Sequence, residues 1–326
     1  MISKREILTF FILLAVVVSI LIGTNILFMY LILSIGTRPI TFLATVTDTI
    51  PANYSNVKLS IDHSYGNASI SMAPKDANYV LSIEVDAFRR QGANLSHVKA
   101  FLYSEILLYS EVDNETIAVV FDDSGFAAVD PAPGWNDVRF YIQENISFSL
   151  DILDGCVEGY NVKLQDLTIS HLNLNYGWSE TGHTASFTNV TFNVSDTLVL
   201  HSDLTAVRFE LFENRYTSNL TIWEIQLRPD WRSFRTTIDL VQWENLNNNP
   251  STLQFNINSY AQMVYVDLYL NPVFGINIAA ITESGLIQLP NNLTTYTSSS
   301  YDLSETKYDF TVTSTSGDIA FNLQDF

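Results

Sequence analysis

Disulfides cannot hold this chain together. Its 326 residues include one cysteine, Cys156, so no intrachain bridge can form and the fold must rest on burial. In "DGCVEGY" that cysteine reads as a small buried hydrophobe. Basic residues are also scarce, 16 Lys and Arg against 35 Asp and Glu, for a net charge of −19. That balance excludes nucleic acid as a partner, because phosphate binding needs a basic surface. It gives no attraction to anionic lipid headgroups either. Charged residues of both signs make up 16% of the chain and apolar ones 47%, which excludes a disordered tail.

Sites for chemistry are equally sparse. The five histidines, His63, His97, His171, His183 and His201, have no helical metal-binding spacing. "DILDGC" (151–156) lacks the ligand series of a calcium loop. Asp122 and Asp123 with Glu111 and Asp113, or Asp151 with Asp154, read as polar turn residues, with weak calcium binding as the lesser reading. No glycine-rich phosphate loop or dinucleotide fingerprint occurs, and "GWSETG" (177–182) misses the nucleophile-elbow spacing. No cofactor, metal or catalysis is expected. The alternative is an exported carbohydrate-active or carbohydrate-binding protein, with Glu224, Asp239 and Glu244 acting beside Trp223, Trp231 and Trp243.

What is abundant is apolar sequence at the start. Ile7 to Ile35 carries no charge, and as a helix it exceeds the roughly 30 Å hydrocarbon core of a bilayer. Lys4 and Arg5 precede it and Arg38 follows, which favours the N-terminus inside. The expectation is a cytoplasmic tail over 1–6, a transmembrane signal-anchor helix over 7–36, and an extracytoplasmic remainder on a single-pass membrane protein. Cleavage after Ser34-Ile35-Gly36 is the competing reading, and it exports the remainder equally.

Beyond a juxtamembrane linker over 37–56, the dominant period is two. Runs such as "NVKLSID" (56–62), "NASISM" (67–72), "TIAVVF" (116–121) and "NLTIWEIQLR" (219–228) alternate apolar and polar residues. Val, Ile, Thr, Tyr and Phe dominate them, as half-buried strands prefer. The fold class is all-β. Alternation suggests antiparallel sheets, each with one wet face, in β-sandwich or stacked-sheet domains. One stretch, Asn94 to Leu108, has weak helical spacing. "DPAPG" (130–134) breaks any central strand, so a first β domain is placed at 57–130, a linker at 131–134 and a second β domain at 135–326. "ENLNNNPS" (244–251) is a possible subdivision.

Nine Asn-x-Ser/Thr sequons occur, at Asn53, Asn67, Asn94, Asn114, Asn145, Asn189, Asn193, Asn219 and Asn292, none of them before the apolar run. This placement agrees with export and makes all nine candidate glycosylation sites. "NVTFNVS" (189–195) reads as one strand, with Asn189 and Asn193 side by side on its wet face.

Three places share a β run followed by a Ser-Gly turn: "VVFDDSGF" (119–126), "AAITESGL" (279–286) and "VTSTSGDI" (312–319). Gly125, Gly285 and Gly317 are separated by 160 and 32 residues, which is not one period. "VYVDLYLNPVFGINIAAITESGLIQL" (264–289) with "YDFTVTSTSGDIAFNL" (308–323) resembles the "putative adhesin", toast-rack-like domains of bacterial and archaeal envelope proteins. The resemblance implies stacked short strands and an envelope location. The family has no catalytic residues to carry over.

One basic island remains, "LRPDWRSFR" (227–235). Arg228, Arg232 and Arg235 flank Trp231 and Phe234, a composition suited to carboxylates, anionic glycans or self-association. These five residues are the candidate contact surface. The function expected is structural or adhesive, with envelope proteins or glycans as partners. A sensor or transporter accessory subunit is a weaker third reading.

Overall fold

The computed structural model describes residues 41–63, 67–89, 107–123, 134–154, 159–176, 183–194, 197–202, 206–212, 214–227, 236–242, 251–259, 263–270, 274–290, 293–315 and 317–325, together with the single residues 96 and 103. In chain order its strands begin with β1 (Thr41–Pro51), β2 (Asn56–Asp62), β3 (Asn67–Met72), β4 (Tyr79–Arg89), β5 (Leu107–Glu111), β6 (Thr116–Asp122), β7 (Gly134–Ile142) and β8 (Ser147–Asp154). The middle of the chain forms β9 (Gly159–Gln165), β10 (Thr168–Tyr176), β11 (His183–Thr188), β12 (Thr191–Phe192), β13 (Leu198–Ser202), β14 (Ala206–Phe212), β15 (Arg215–Tyr216) and β16 (Leu220–Leu227). The last third adds β17 (Thr236–Gln242), β18 (Ser251–Ser259), β19 (Met263–Leu270), β20 (Gly275–Thr282), β21 (Ile287–Gln288), β22 (Thr295–Thr297), β23 (Thr306–Ser314) and β24 (Asp318–Asp325).

These strands make two long sheets. Sheet A has eleven strands in the order β1-β4-β7-β3-β9-β11-β14-β17-β19-β24-β21. Sheet B has thirteen, with β22-β20-β23-β18-β16-β13-β10-β8-β2-β6-β5 as its path and β12 and β15 beside it. From β7 to β20 the chain alternates between the sheets, so successive strands within one sheet run parallel. The expected antiparallel pairing is therefore corrected. Parallel neighbours need a long crossover, and here each crossover is a pass through the opposite sheet. Alternation along a strand reports that one face is wet, and it does so whichever way the neighbouring strand runs.

Among the described residues antiparallel pairing is confined to the ends of the stack. β1, β4 and β7 pair that way in sheet A, β5 with β6 in sheet B, and β22 with β20 at the far end. At the first end the edge strands of the two sheets are tied by side chains. The Tyr109 hydroxyl donates to Asp48, and the Tyr54 hydroxyl donates to Glu111 at 2.6 Å.

Strands from the two sides of 131–134 interleave. β2 lies between β6 and β8, and β3 lies between β7 and β9. At the other end β23 and β24 return to fill the gap between the β18–β19 turn of the stack and the β20–β21 turn. Among the described residues the strand pairing is continuous along both sheets. Residues 41–51, expected as linker, form an eleven-residue strand whose Val46 and Ile50 are buried. Most of 94–108 lies outside the described residues, and Leu107 and Leu108 belong to β5.

In-register parallel pairing stacks like residues over like. One column of sheet B runs Ile117, Val57, Phe148, Ile169, Phe192, Tyr216, and every member is buried. Sheet A answers with Ile83, Phe140, Ile70, Val162, Ala185, Phe209. Aromatic rings fill the space between the sheets. Trp223 lies parallel to Phe255 at 6.3 Å, Phe255 stacks on Phe310 at 5.0 Å, and Phe209 meets Trp223 edge-on at 4.7 Å. Each such contact adds about 0.5–1.5 kcal/mol beyond area burial.

The 32-residue interval between Gly285 and Gly317 is one step of this stack, since Gly275 pairs with Lys307 and Thr282 with Ser314. The two Ser-Gly turns lie on each other. Leu286 N–H donates to Asp318 Oδ1 at 2.7 Å, Ile319 N–H to the Leu286 carbonyl at 2.9 Å, and the Thr282 hydroxyl to the Gly317 carbonyl at 2.9 Å. A Cβ on Gly285 would sit 2.4 Å from the Gly317 carbonyl oxygen, closer than any real contact. Gly285→Ala is therefore expected to cost about 1–3 kcal/mol, read as a lowered urea midpoint. Ser284→Ala, one exposed residue away, should stay within about 0.5 kcal/mol. Equal midpoints for the two variants would contradict the stacked turns.

Candidate functional site

Each time the chain enters sheet B it turns a corner, and three of those corners share one geometry. Asn145, Asp166 and Asn189 adopt left-handed φ angles of 61°, 50° and 50°, a conformation Asn and Asp tolerate because their short side chains hydrogen-bond locally. The turn drives the next residue inward, and Ile146, Leu167 and Val190 are buried. Backbone bonds join one corner to the next. Asn145 N–H donates to the Asp166 carbonyl at 2.9 Å, and Asp166 N–H to the Thr188 carbonyl at 3.2 Å. Thr191 N–H donates to the Leu167 carbonyl at 3.0 Å, and Arg215 N–H to the Val190 carbonyl at 2.9 Å.

Side chains continue the ladder. Asn189 Nδ2 donates to Asp166 Oδ1 at 2.6 Å, and Gln165 Nε2 to Asp166 Oδ2 at 2.8 Å. Asn214 is fully buried beneath the same corner. Its Oδ1 accepts from Val190 N–H at 2.9 Å and its Nδ2 donates to the Phe187 carbonyl at 3.0 Å. "NVTFNVS" is thus not one strand. β11 ends at Thr188, the chain turns at Asn189, and Thr191–Phe192 is a separate short strand. Asn189 is half-buried, while Asn193 is exposed.

Asn214 escaped the sequence reading, although its signal is present: Asn145, Asp166, Asn189 and Asn214 recur at nearly even spacing. Removing it strands a buried N–H and a buried carbonyl, each costing about 1–3 kcal/mol. Asn214→Ala should lower the thermal midpoint by several degrees more than Asn193→Ala, which removes an exposed amide. Similar midpoints would contradict the corner ladder.

Of the remaining sequon asparagines, Asn53, Asn67, Asn114, Asn145 and Asn219 are exposed, and Asn94 and Asn292 lie outside the described residues. So does the whole candidate contact surface, Arg228, Trp231, Arg232, Phe234 and Arg235. By chain position it falls on the connection from β16 in sheet B to β17 in sheet A.

The described histidines take separate partners or strands. His63 and Asp123 follow adjacent strands and form a fully buried pair, Nδ1 to Oδ2 at 2.7 Å. His183, in sheet A, stacks on Tyr176 at 4.1 Å and accepts the Tyr160 N–H at 2.9 Å through Nδ1. His171, in sheet B, is half-exposed and meets Asp151 Oδ1 at 3.0 Å. His201 lies in β13, and His97 is outside the described residues. The acidic groups considered for calcium are dispersed as well. Asp123 is turned onto His63, Glu111 onto Tyr54, and Asp113 caps its own turn by accepting from Glu115 N–H at 2.8 Å. Among the described residues no group of three or more His, Cys, Asp or Glu could hold a metal ion.

Trp223, proposed to lie beside sugar-cleaving carboxylates, is fully buried. Glu224 points to the other face and accepts from Asn256 Nδ2 at 2.5 Å. Trp231, Trp243 and Glu244 lie outside the described residues. Across the outer face of sheet B, polar residues stand in rows; Glu224, Asn256 and Thr311 are in register.

On the outer face of sheet A, Arg139 bridges two carboxylates. It donates to Glu84 at 3.1 Å and to both oxygens of Asp86 at 2.8 Å. The Arg139 hydrogen bonds hold the Asp86 carboxyl below its usual range against the opposing effect of burial, with help from the Thr45 hydroxyl. A depressed folded pKa means stabilisation that is complete above the unfolded value of about 3.9 and lost as pH falls through the lower folded value. Asp86→Asn should therefore cost stability at pH 7 and much less at pH 2, by urea unfolding. An equal cost at both values would contradict this role for the carboxylate.

Among the described residues no helix is long and apolar enough to cross a membrane, and residues 1–40 lie outside them. No protein-family model matches the chain. No curated protein matches it either. Several solved structures are similar. One, described as a "putative cell adhesion protein" from Clostridium sporogenes, is 10% identical, with 86% of this chain and 99% of that one covered at a TM-score of 0.35. A "putative adhesin" from Parabacteroides distasonis is 9% identical, with 86% and 98% covered at 0.31. A "putative lipid binding protein" from the same organism is 12% identical, with 87% and 96% covered at 0.28. The second carries the "putative adhesin" description also used for the resemblance read from residues 264–323. Likeness at this level bears on neither activity nor partner.

Proposed function

We propose that this chain is a membrane-anchored, extracytoplasmic β protein with a structural or adhesive role in the cell envelope, and that it acts by surface contact without catalysis. The observation that carries the reading is where the stack puts its side chains. Rings such as Trp223, Phe255 and Phe310 occupy the space between the sheets, and polar residues stand in register on the outer faces. A scaffold filled this way offers its faces and corners to a partner. Anchoring is supported by the uncharged run from Ile7 to Ile35, which ends six residues before β1 begins. The basic island at Arg228, Arg232 and Arg235 supplies the contact in this reading, with envelope proteins or anionic glycans as partners.

Protease shaving of intact cells tests the location. Peptides from 41–326 should be released while 7–35 stays with the membrane, whereas full protection in sealed cells would overturn the reading. Beads coated with an acidic polysaccharide test the contact. Replacing Arg228, Arg232 and Arg235 together by alanine should cut bead capture of expressing cells about tenfold, and unchanged capture would remove the island from the account.

A further inference from the structure

The described sequon asparagines are not scattered over the stack. Asn114 precedes β6, Asn53 precedes β2, Asn145 precedes β8, Asn193 follows β12 and Asn219 precedes β16. Asn53 and Asn145 lie where the chain comes over from sheet A, Asn114 lies in the β5–β6 turn, and Asn193 and Asn219 lie beside β12 and β16, all flanking sheet B in that strand order. Thr116, Asn56 and Ser147 are register partners, so Asn114, Asn53 and Asn145 share one edge at steps of about 4.8 Å, and Asn193 and Asn219 follow farther along the sheet, beyond β10. All five are exposed. Asp166 holds the corner between Asn145 and Asn189 without being a sequon, so the turn alone asks only for Asn or Asp. Asn53, Asn114, Asn193 and Asn219 are not left-handed, and the turn does not call for asparagine at those positions.

Asn53 bonds the neighbouring Tyr54 hydroxyl, but in two described sequons the amide is held by a carboxylate. Asn189 sits on the same edge, but its Nδ2, the atom a glycan would be joined to, donates to Asp166 at 2.6 Å, and the residue is half-buried. Asn67 opens β3 at the opposite edge, and its Nδ2 donates to Asp137 at 3.3 Å.

We propose that the edge leading into sheet B is a glycosylated edge, with N-linked sugar at Asn53, Asn114, Asn145, Asn193 and Asn219, and with Asn189 and Asn67 bare. The donor is a lipid-linked glycosyl phosphate. The asparagine Nδ2 bonds to the anomeric carbon as that carbon's bond to the phosphate oxygen breaks; the amide gives up one proton and the phosphate departs as an anion. A row of sugars along this edge blocks lateral packing there. Both sheet faces stay open to a partner. The inference rests on the extracytoplasmic reading above, because the acceptor sequence is used on exported chains.

Peptide mass spectrometry of the full chain purified from its own cells is the test, alongside two variants. Ser195→Ala removes the Asn193 acceptor and keeps the asparagine, so one glycan mass should be lost. Thr191→Val removes the Asn189 acceptor and keeps the corner, so no mass beyond the substitution should change. Sugar on at least four of the five edge sites, with Asn189 and Asn67 bare, is the expected result. Sugar on Asn189 or Asn67, or on three or fewer edge sites, overturns the proposal. Protease shaving of the same cells separates the two failures. Bare sites on a chain that is shaved sink the glycosylated edge alone, and bare sites on a protected chain sink the extracytoplasmic reading with it.

Discussion

In-register parallel pairing between successive turns of the chain is the constraint on which the rest of this structure depends. A strand that neighbours the previous turn in register sets each side chain over its counterpart one step earlier. Apolar residues therefore accumulate into buried columns, such as the one from Ile117 through Phe148 to Tyr216. Polar residues accumulate outside into rows. A one-residue slip would invert every side chain of a strand. With one cysteine available, no disulfide helps to hold the register.

Corners are where this arrangement is most exposed to error. Backbone groups that leave one sheet must be satisfied before they join the other. Left-handed Asn145, Asp166 and Asn189 make the turn, and buried Asn214 supplies the donor and acceptor that the corner above it lacks. The Ser-Gly turns do the same work at the opposite edge by close approach of backbone, with Gly285 against Gly317. One edge is built from polar side chains and the other, at its far end, from missing ones. That difference gives the molecule two chemically distinct edges between two polar faces.

The strands themselves were largely legible. "NVKLSID" and "NASISM" are β2 and β3 to the residue, because period-two alternation survives any neighbour direction. Direction was not legible for the same reason. "YNVKLQDLTISHLNLNY" (160–176) has no Gly or Pro to break it, yet Asp166 divides it into β9 and β10, and its one mark in the sequence is the phase shift of the apolar positions from Leu164 to Leu167. β1 was hidden by its place beside the apolar run, and β5 by a short stretch of helical spacing. The sequons were visible as motifs, but their alignment along one edge exists only once the turns of the chain are stacked. Trp223 beside Glu224 looks like a sugar site in one dimension, and pleating sends the two to opposite faces.

Pulsed electron-spin distances probe the stacking most directly. Asn173, Val199, Glu224, Asn256 and Thr311 are successive register partners across five strands of sheet B. Spin labels at Asn173 and Thr311 should lie four strand spacings apart, about 19 Å, in one narrow distribution. A broad distribution, or a separation beyond about 30 Å, would contradict parallel stacking in register.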